Sequence, residues 1–237
     1  ARLGEKWGQP QSWLYEFQDY LGQPRMTPEE HWVRYTLKRM AVEPLLDHPM
    51  TEAEALDFYR TNDYMLWRNV VHRRHASWRK VLATMGAWTG SLLEFGCGTA
   101  PVTTWVMRRR PDWRYAIEDL DGPAYRYARW RVTRRACHAP AEMPFDVITA
   151  LDVFEHLSDP VKTARALVGR LAPGGYLHQN FVSNPKRNDL DLSTEEQRDA
   201  TLAYLHSTLE VVWQKEGYWV LRKPGRTPSQ PGAALWE

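Results

Sequence analysis

The chain has 237 residues, room for one large domain, and its 43% hydrophobic and 25% charged residues are those of a folded globular protein rather than a disordered or collagenous one. A net charge of +2 is too balanced to make nucleic acid the expected partner, and no apolar run approaches the ~18 residues that a membrane span needs. Two cysteines, Cys97 and Cys137, are too few for a disulfide-stapled secreted chain, so a reducing cytoplasm is the expected setting. Ala1 to Lys6 lack the apolar stretch of a secretory signal, and a start on Ala rather than Met is consistent with residues upstream.

To about Trp88 the chain reads as helical, with no convincing strand. Gln11 to Leu21 is a short helix. Thr27-Pro28-Glu29-Glu30 is a capping box, with Pro at the first helical position and Glu at N3, and Val33, Leu37 and Met40 follow at helical spacing. Pro44 and Pro49 mark a break. Thr51-Glu52-Ala53-Glu54 repeats the cap, with Leu56, Tyr59 and Arg60 behind it. One longer helix is predicted from near Asn62 to Thr84, ending before Gly86. It carries His72 and His75 on one face, a pair without a third metal ligand.

From Gly90 the texture changes to alternating strand and helix. Ser91 to Phe95 is a buried strand, followed by a Gly-rich turn and a helix from Pro101 to about Arg110. Trp113 to Glu118 is a strand, Pro123 to Arg134 a helix, and Phe145 to Leu151 a strand. Asp159 caps a helix from Pro160 to Leu171, and Gly174-Gly175 turns into a strand from Tyr176 to Val182. Ser193-Thr194-Glu195-Glu196 opens a helix to about His206. Leu209 to Gln214 and Tyr218 to Arg222 form a hairpin. Such βα units imply an α/β fold with a mostly parallel sheet and an antiparallel edge.

The most informative stretch is Glu94-Phe95-Gly96-Cys97-Gly98-Thr99-Ala100. It follows a strand and opens a helix, the context in which glycines let a backbone approach a ligand closely. The next strand ends on Asp119, about 20 residues past the glycines, where a carboxylate can accept from both hydroxyls of a ribose. By itself the Gly-rich turn is also compatible with a dinucleotide site or a structural turn. Glu94 could equally cap the following helix.

Together with later motifs, these residues resemble the class I, Rossmann-like S-adenosylmethionine-dependent methyltransferases. The family's first strand carries an acidic residue and G-x-G-x-G, here with Ala100 in place of the third glycine. Its ribose acid corresponds to Asp119, followed by Leu120-Asp121. Phe145-Asp146-Val147-Ile148 and Leu151-Asp152-Val153-Phe154-Glu155-His156-Leu157 match its fourth strand and loop, and Leu171-Ala172-Pro173-Gly174-Gly175 its next turn. The segment Ala136 to Pro144 is short for the family's third strand, and only Glu142 could serve there as an adenine-reading acid. The resemblance implies a Rossmann-like three-layer α/β sandwich with a mostly parallel sheet, seven-stranded or reduced, and an antiparallel C-terminal hairpin. Residues 1–61 are then an N-terminal helical lid and 62–237 the cofactor-binding core.

The implied cofactor is S-adenosyl-L-methionine, held by Glu94, Gly96, Cys97, Gly98, Thr99, Asp119, Leu120, Leu151, Asp152 and Val153. The implied reaction is in-line methyl transfer to a small-molecule acceptor, with no metal. His156 and His178 are the candidate bases because a histidine titrates near neutrality. Tyr59, Tyr64 and His156 are the candidate acceptor contacts. The lid aromatics Trp32, Tyr35, Phe58, Tyr59, Tyr64 and Trp67 suit either an apolar acceptor or a packing seam. No Asn-Pro-Pro-Tyr or Asp-Pro-Pro-Tyr follows the fourth strand, which counts against base amines and glutamine amides. Arginines at 108–110 and at 126, 129, 131, 134 and 135 read as a solvated helix face or as an RNA patch. Methylation of RNA or protein, and a non-catalytic cofactor-binding subunit, are the alternatives.

Overall fold

A computed structural model describes residues 12–71, 76–86, 89–134, 144–181 and 190–225. Helices α1 (Ser12–Leu21), α2 (Pro28–Val42), α3 (Glu52–Thr61), α4 (Tyr64–Val71) and α5 (Ala76–Thr84) precede the sheet. Both predicted capping boxes form. Thr27 accepts from the Glu30 amide and Thr51 from the Glu54 amide, while each glutamate reaches back to the cap residue's own N–H. The helix expected from Asn62 to Thr84 is helical over Tyr64–Val71 and Ala76–Thr84, with residues 72–75 outside the described ones, and Asn62 opens it by accepting from the Tyr64 amide at 2.8 Å. His72, His75, Cys137 and Glu142 lie outside the described residues.

The remaining elements are β1 (Ser91–Phe95), α6 (Pro101–Val106), β2 (Arg114–Glu118), α7 (Pro123–Thr133), β3 (Phe145–Leu151), α8 (Pro160–Arg170), β4 (Leu171–Asn180), α9 (Glu195–Thr208), β5 (Glu210–Lys215) and β6 (Tyr218–Arg222). Among the described residues the sheet has six strands in the order β2-β1-β3-β4-β6-β5, the reduced form of the expected sheet. β2, β1, β3 and β4 are parallel, and β6 and β5 add an antiparallel edge.

Helices cover both faces, which explains why β1 and β3 are apolar without alternation. Leu92, Tyr115 and Val147 pack with Val81, Val106 and Val132 on one side. Leu93, Ile148, Leu177 and Leu221 pack with Leu167 and Leu205 on the other. Asp146 locks the register at the base of the sheet, its Oδ2 accepting from the Ser91 amide at 2.8 Å and the Ser91 hydroxyl at 3.1 Å. β4 begins earlier than the predicted Tyr176. The Gly174 amide donates to the Lys223 carbonyl and the Lys223 amide to the Gly175 carbonyl, so the Gly-Gly turn is itself held against the exit of β6.

The N-terminal helices share a core with α7. Phe17, Tyr35, Phe58, Tyr64 and Trp67 pack with Tyr127 of α7, and Trp32 and Tyr59 pack against that cluster. Gly122, which precedes α7, has no room for a side chain because the Tyr59 carbonyl occupies the space. Most of the lid aromatics are therefore the packing seam.

Candidate functional site

The strand order reverses between β1 and β3, and the crevice at their carboxyl ends is where an α/β sheet binds ligands. The Gly-rich turn lines it. Gly96 and Gly98 have φ of +61° and +52°, and a Cβ on Gly96 would run into Val153. Ala100, the residue at the third glycine position, is also left-handed at φ +51°. That conformation costs a non-glycine residue about 1–2 kcal/mol.

Glu94 takes the capping role that the sequence left open beside that of a ligand. Its Oε1 and Oε2 accept from the Val102 and Thr103 amides at 3.1 and 2.7 Å, so the carboxylate caps α6 and holds the turn from behind. Burial pushes its carboxyl up to about 7, against the pull of those two amides and Arg131. A folded-state pKa above the ordinary 4.5 means the folded chain holds that proton more tightly. The resulting stability is complete below about pH 4.5 and lost as pH rises toward 7. Relative to Glu94→Gln, the wild-type protein should lose up to about 3 kcal/mol across that window, measured by denaturant unfolding at several pH values. A stability difference independent of pH would refute this.

Asp119 stands at the tip of β2, on the crevice. Its Oδ2 accepts from the Gly98 amide at 2.6 Å and its Oδ1 from the Leu120 amide at 2.7 Å. The surrounding protein pushes its carboxyl up, and these two amides hold it down. The Cys97 amide donates to the Glu118 carbonyl at 3.1 Å, tying the turn to β2, and its thiol is buried. The Thr99 carbonyl accepts from Arg131 at 2.6 Å. Arg131 also reaches Glu16 of α1 at 3.2 Å and is itself 1% exposed.

The solvated-face reading holds for Arg108, Arg109, Arg126, Arg129 and Arg134, which are exposed, and fails for Arg131. Arg131 lies on the buried stripe of α7 with Tyr127, Ala128 and Val132. Arg110 donates to the Gly86 carbonyl and pairs with Asp112, and Arg109 and Arg134 lie over Trp105 and Trp130.

Beyond β3 the chain turns sharply. Leu151 ends the strand half-buried, and Asp152 has φ +54°, a strained conformation of the kind that clusters at functional sites. Asn180 at the end of β4 fixes it, accepting from the Asp152 amide and donating to Asp152 Oδ1, both at 2.6 Å. Val153 packs under Gly96. His156 follows in the short helical turn Phe154–His156. Its Nδ1 is 3.0 Å from the Leu190 carbonyl and 3.3 Å from Asp191 Oδ1. A proton on Nδ1 satisfies both, which leaves Nε2 with its lone pair. Burial lowers its pKa despite those acceptors, with Arg68 acting in the same direction as burial.

The Tyr59 ring centre lies 6.1 Å from that of His156. Tyr64 is not brought to this place; its ring stacks on Tyr35 at 5.9 Å within the helical cluster. His178 is also corrected. Its ring is fully buried, with Nε2 2.8 Å from the Thr84 hydroxyl and Nδ1 2.7 Å from the Tyr218 hydroxyl. Burial lowers its pKa to about 3, so it is a neutral packing residue bridging α5 and β6.

Two residues escaped the sequence reading. Asn69 of α4 sets its side-chain amide against Gly98, where a Cβ would stand 2.8 Å from it. Arg68 is exposed on the same helix and its charge acts on both Tyr59 and His156. The available signal was a polar Arg-Asn pair interrupting the otherwise apolar helix Tyr64–Val71.

Residues 67–222 match the family described as methyltransferase domain, a span from inside α4 to the end of β6. An uncharacterized protein of Synechococcus sp. is 30% identical over 100 residues, covering 37% of this chain, and the match spans only 24% of that protein's length. An O-methyltransferase family protein from Burkholderia thailandensis has a similar structure, with a TM-score of 0.51, 15% identity, and coverage of 84% of this chain and 71% of that one. The plantazolicin methyltransferase BpumL, solved with a pentazolic desmethylPZN analog and SAH, gives a TM-score of 0.51 at 14% identity, covering 73% of this chain and 95% of that one. At these identities the structural likeness is one of fold.

Proposed function

This chain belongs to the methyltransferase-domain family, whose cofactor is S-adenosylmethionine, and we propose that it transfers a methyl group to a small-molecule acceptor by in-line displacement at the crevice between β1 and β3. The observation that carries the reading is the Asp119 carboxylate at the tip of β2, 2.6 Å from the Gly98 amide, at the point where the strand order reverses.

The residues there fit the cofactor. Gly96 and Gly98, both left-handed, let the bare backbone of the turn pack against Val153 and Asn69 and reach the crevice, and Asp119 still has lone pairs for a ribose diol. Cys97, Thr99 and Leu120 supply the rest of the turn, and Leu151, Asp152 and Val153 the opposite wall. Arg68 and Asn69 are suited to the carboxylate at the amino-acid end. The bound cofactor supplies an electrophilic methyl group on a positively charged sulfur. The chain's task is then alignment of acceptor, carbon and sulfur, which accounts for much of the acceleration in such reactions.

Residues 1–61 serve in this reading as a cap over the acceptor and 62–237 as the core, with Tyr59 the cap residue beside His156. His156 is the base, its Nδ1–H anchored so that Nε2 can accept. His156→Ala should lower kcat by about 100-fold while leaving cofactor affinity within about threefold, by single-turnover kinetics and calorimetry. An unchanged kcat would remove the histidine from the mechanism. Among the described residues no helix is long and apolar enough to cross a membrane, and the cytoplasm is our proposed location. The reading is tested by titrating S-adenosylmethionine and S-adenosylhomocysteine into the protein, followed by transfer of labelled methyl to pooled acceptors. Well-folded protein that binds neither would refute it.

A further inference from the structure

The side of the crevice away from the Gly-rich turn has a distinctive charge. The Tyr59 hydroxyl oxygen is shut off from solvent and has no hydrogen-bond partner among the described residues. An unpaired buried phenol costs free energy, and such groups in folded chains call for an explanation. Of the charges acting on that hydroxyl Arg68 is the largest, opposed by the carboxylates of Asp119, Glu155 and Asp191. His156, with its ring centre 6.1 Å from that of Tyr59, is acted on by Asp191 and Asp152 against Arg68. Asp152 is tied to Asn180. In the proposed site Asp119 is assigned to the ribose, while Asp191 lies 3.3 Å from His156 Nδ1 and Glu155 precedes His156 in the same short helical turn. Among the described residues no three His, Cys, Asp or Glu side chains are grouped as metal ligands, so this charge suits an organic cation better than a metal ion.

We infer that the methyl acceptor is an amine, entering as its ammonium and received by the Tyr59 hydroxyl, with Glu155 and Asp191 beside it. The inference rests on the methyl-transfer reading above. Its physical basis is where charge goes. When a neutral amine attacks, positive charge leaves sulfur and arrives on nitrogen, and carboxylates near that nitrogen stabilise it. The same carboxylates oppose ionisation of an alcohol or phenol, so they are misplaced for an oxygen acceptor. The ammonium first gives a proton to His156 Nε2, which passes it to water. The freed lone pair forms the N–C bond as the C–S bond breaks, and that bond's electron pair stays on sulfur.

The test uses binding rather than turnover. Protein loaded with S-adenosylhomocysteine is titrated, with saturation-transfer NMR as readout, against benzylamine and benzyl alcohol, cyclohexylamine and cyclohexanol, and tyramine and its alcohol counterpart. The amine of each pair should bind about tenfold or more tightly than its alcohol. Tyr59→Phe and Asp191→Asn should cut that preference below about threefold. Tyr59→Phe should melt no lower than wild type, because it removes a hydroxyl without a partner among the described residues. Alcohols that bind as well as amines, or no saturable amine binding, overturn the amine assignment. Cofactor affinity in the same samples separates the two readings: intact S-adenosylhomocysteine binding without amine preference sinks the amine alone, whereas loss of cofactor binding sinks both.

Discussion

Asp119→Ala should weaken S-adenosylmethionine binding by about two to three orders of magnitude. The carboxylate is held at the crevice by the Gly98 and Leu120 amides, at 2.6 and 2.7 Å, which fixes its position before any ligand arrives. A diol donating two bonds to a charged acceptor gains about 1.5–3 kcal/mol from each, before the bonds share what water would have given. Loss of both corresponds to roughly 3–4 kcal/mol, and each 1.4 kcal/mol is tenfold in affinity. The Gly98 amide also loses its acceptor, so the turn loosens. Asp119→Asn keeps the volume and one acceptor oxygen and should lose less, about tenfold. Calorimetry with all three proteins checks this, and an alanine variant within about threefold of wild type would remove Asp119 from the site.

Arg131→Met should be the most destabilising of these substitutions, by about 3–5 kcal/mol. Arg131 is 1% exposed and Glu16 10%, so truncating the arginine removes a cation from beside a nearly buried carboxylate. The Thr99 carbonyl loses its donor at the same time. For a chain of this size each kcal/mol moves the melting temperature by about 2–4 °C, so a fall on the order of 10 °C is expected. Glu16→Gln combined with Arg131→Met should recover part of the loss, because the nearly buried carboxylate charge that Arg131 faced is then removed as well. A separate consequence is functional. Arg131 ties α1 to the Gly-rich turn, so cofactor affinity should fall even in the folded fraction at low temperature. A shift under 2 °C would mean the pair is not the keystone the geometry makes it.

Much of the architecture was legible in the sequence because it rests on local signals. Capping boxes at Thr27 and Thr51, the Asp159 cap and Pro160, and the apolar runs of β1 and β3 each specify their element within a few residues. The spacing from the Gly-rich turn to Asp119 likewise follows from one βαβ unit, and the structure joins the two through the Gly98 amide. What the sequence left open depended on which side chains meet across the fold. Glu94 was a candidate ligand or a cap, and only the return of α6 onto β1 made it a cap. Arg131 read as one of a basic series until Glu16, 115 residues away, arrived to neutralise it. His156 and His178 are the same residue type on neighbouring strands and loops. Burial between Thr84 and Tyr218 removed one from consideration, and the Leu190 carbonyl oriented the other. The reason is general to packed proteins: hydrogen-bond caps and hydrophobic period are short-range along the chain, whereas desolvation and charge pairing are set by neighbours that tertiary packing alone supplies.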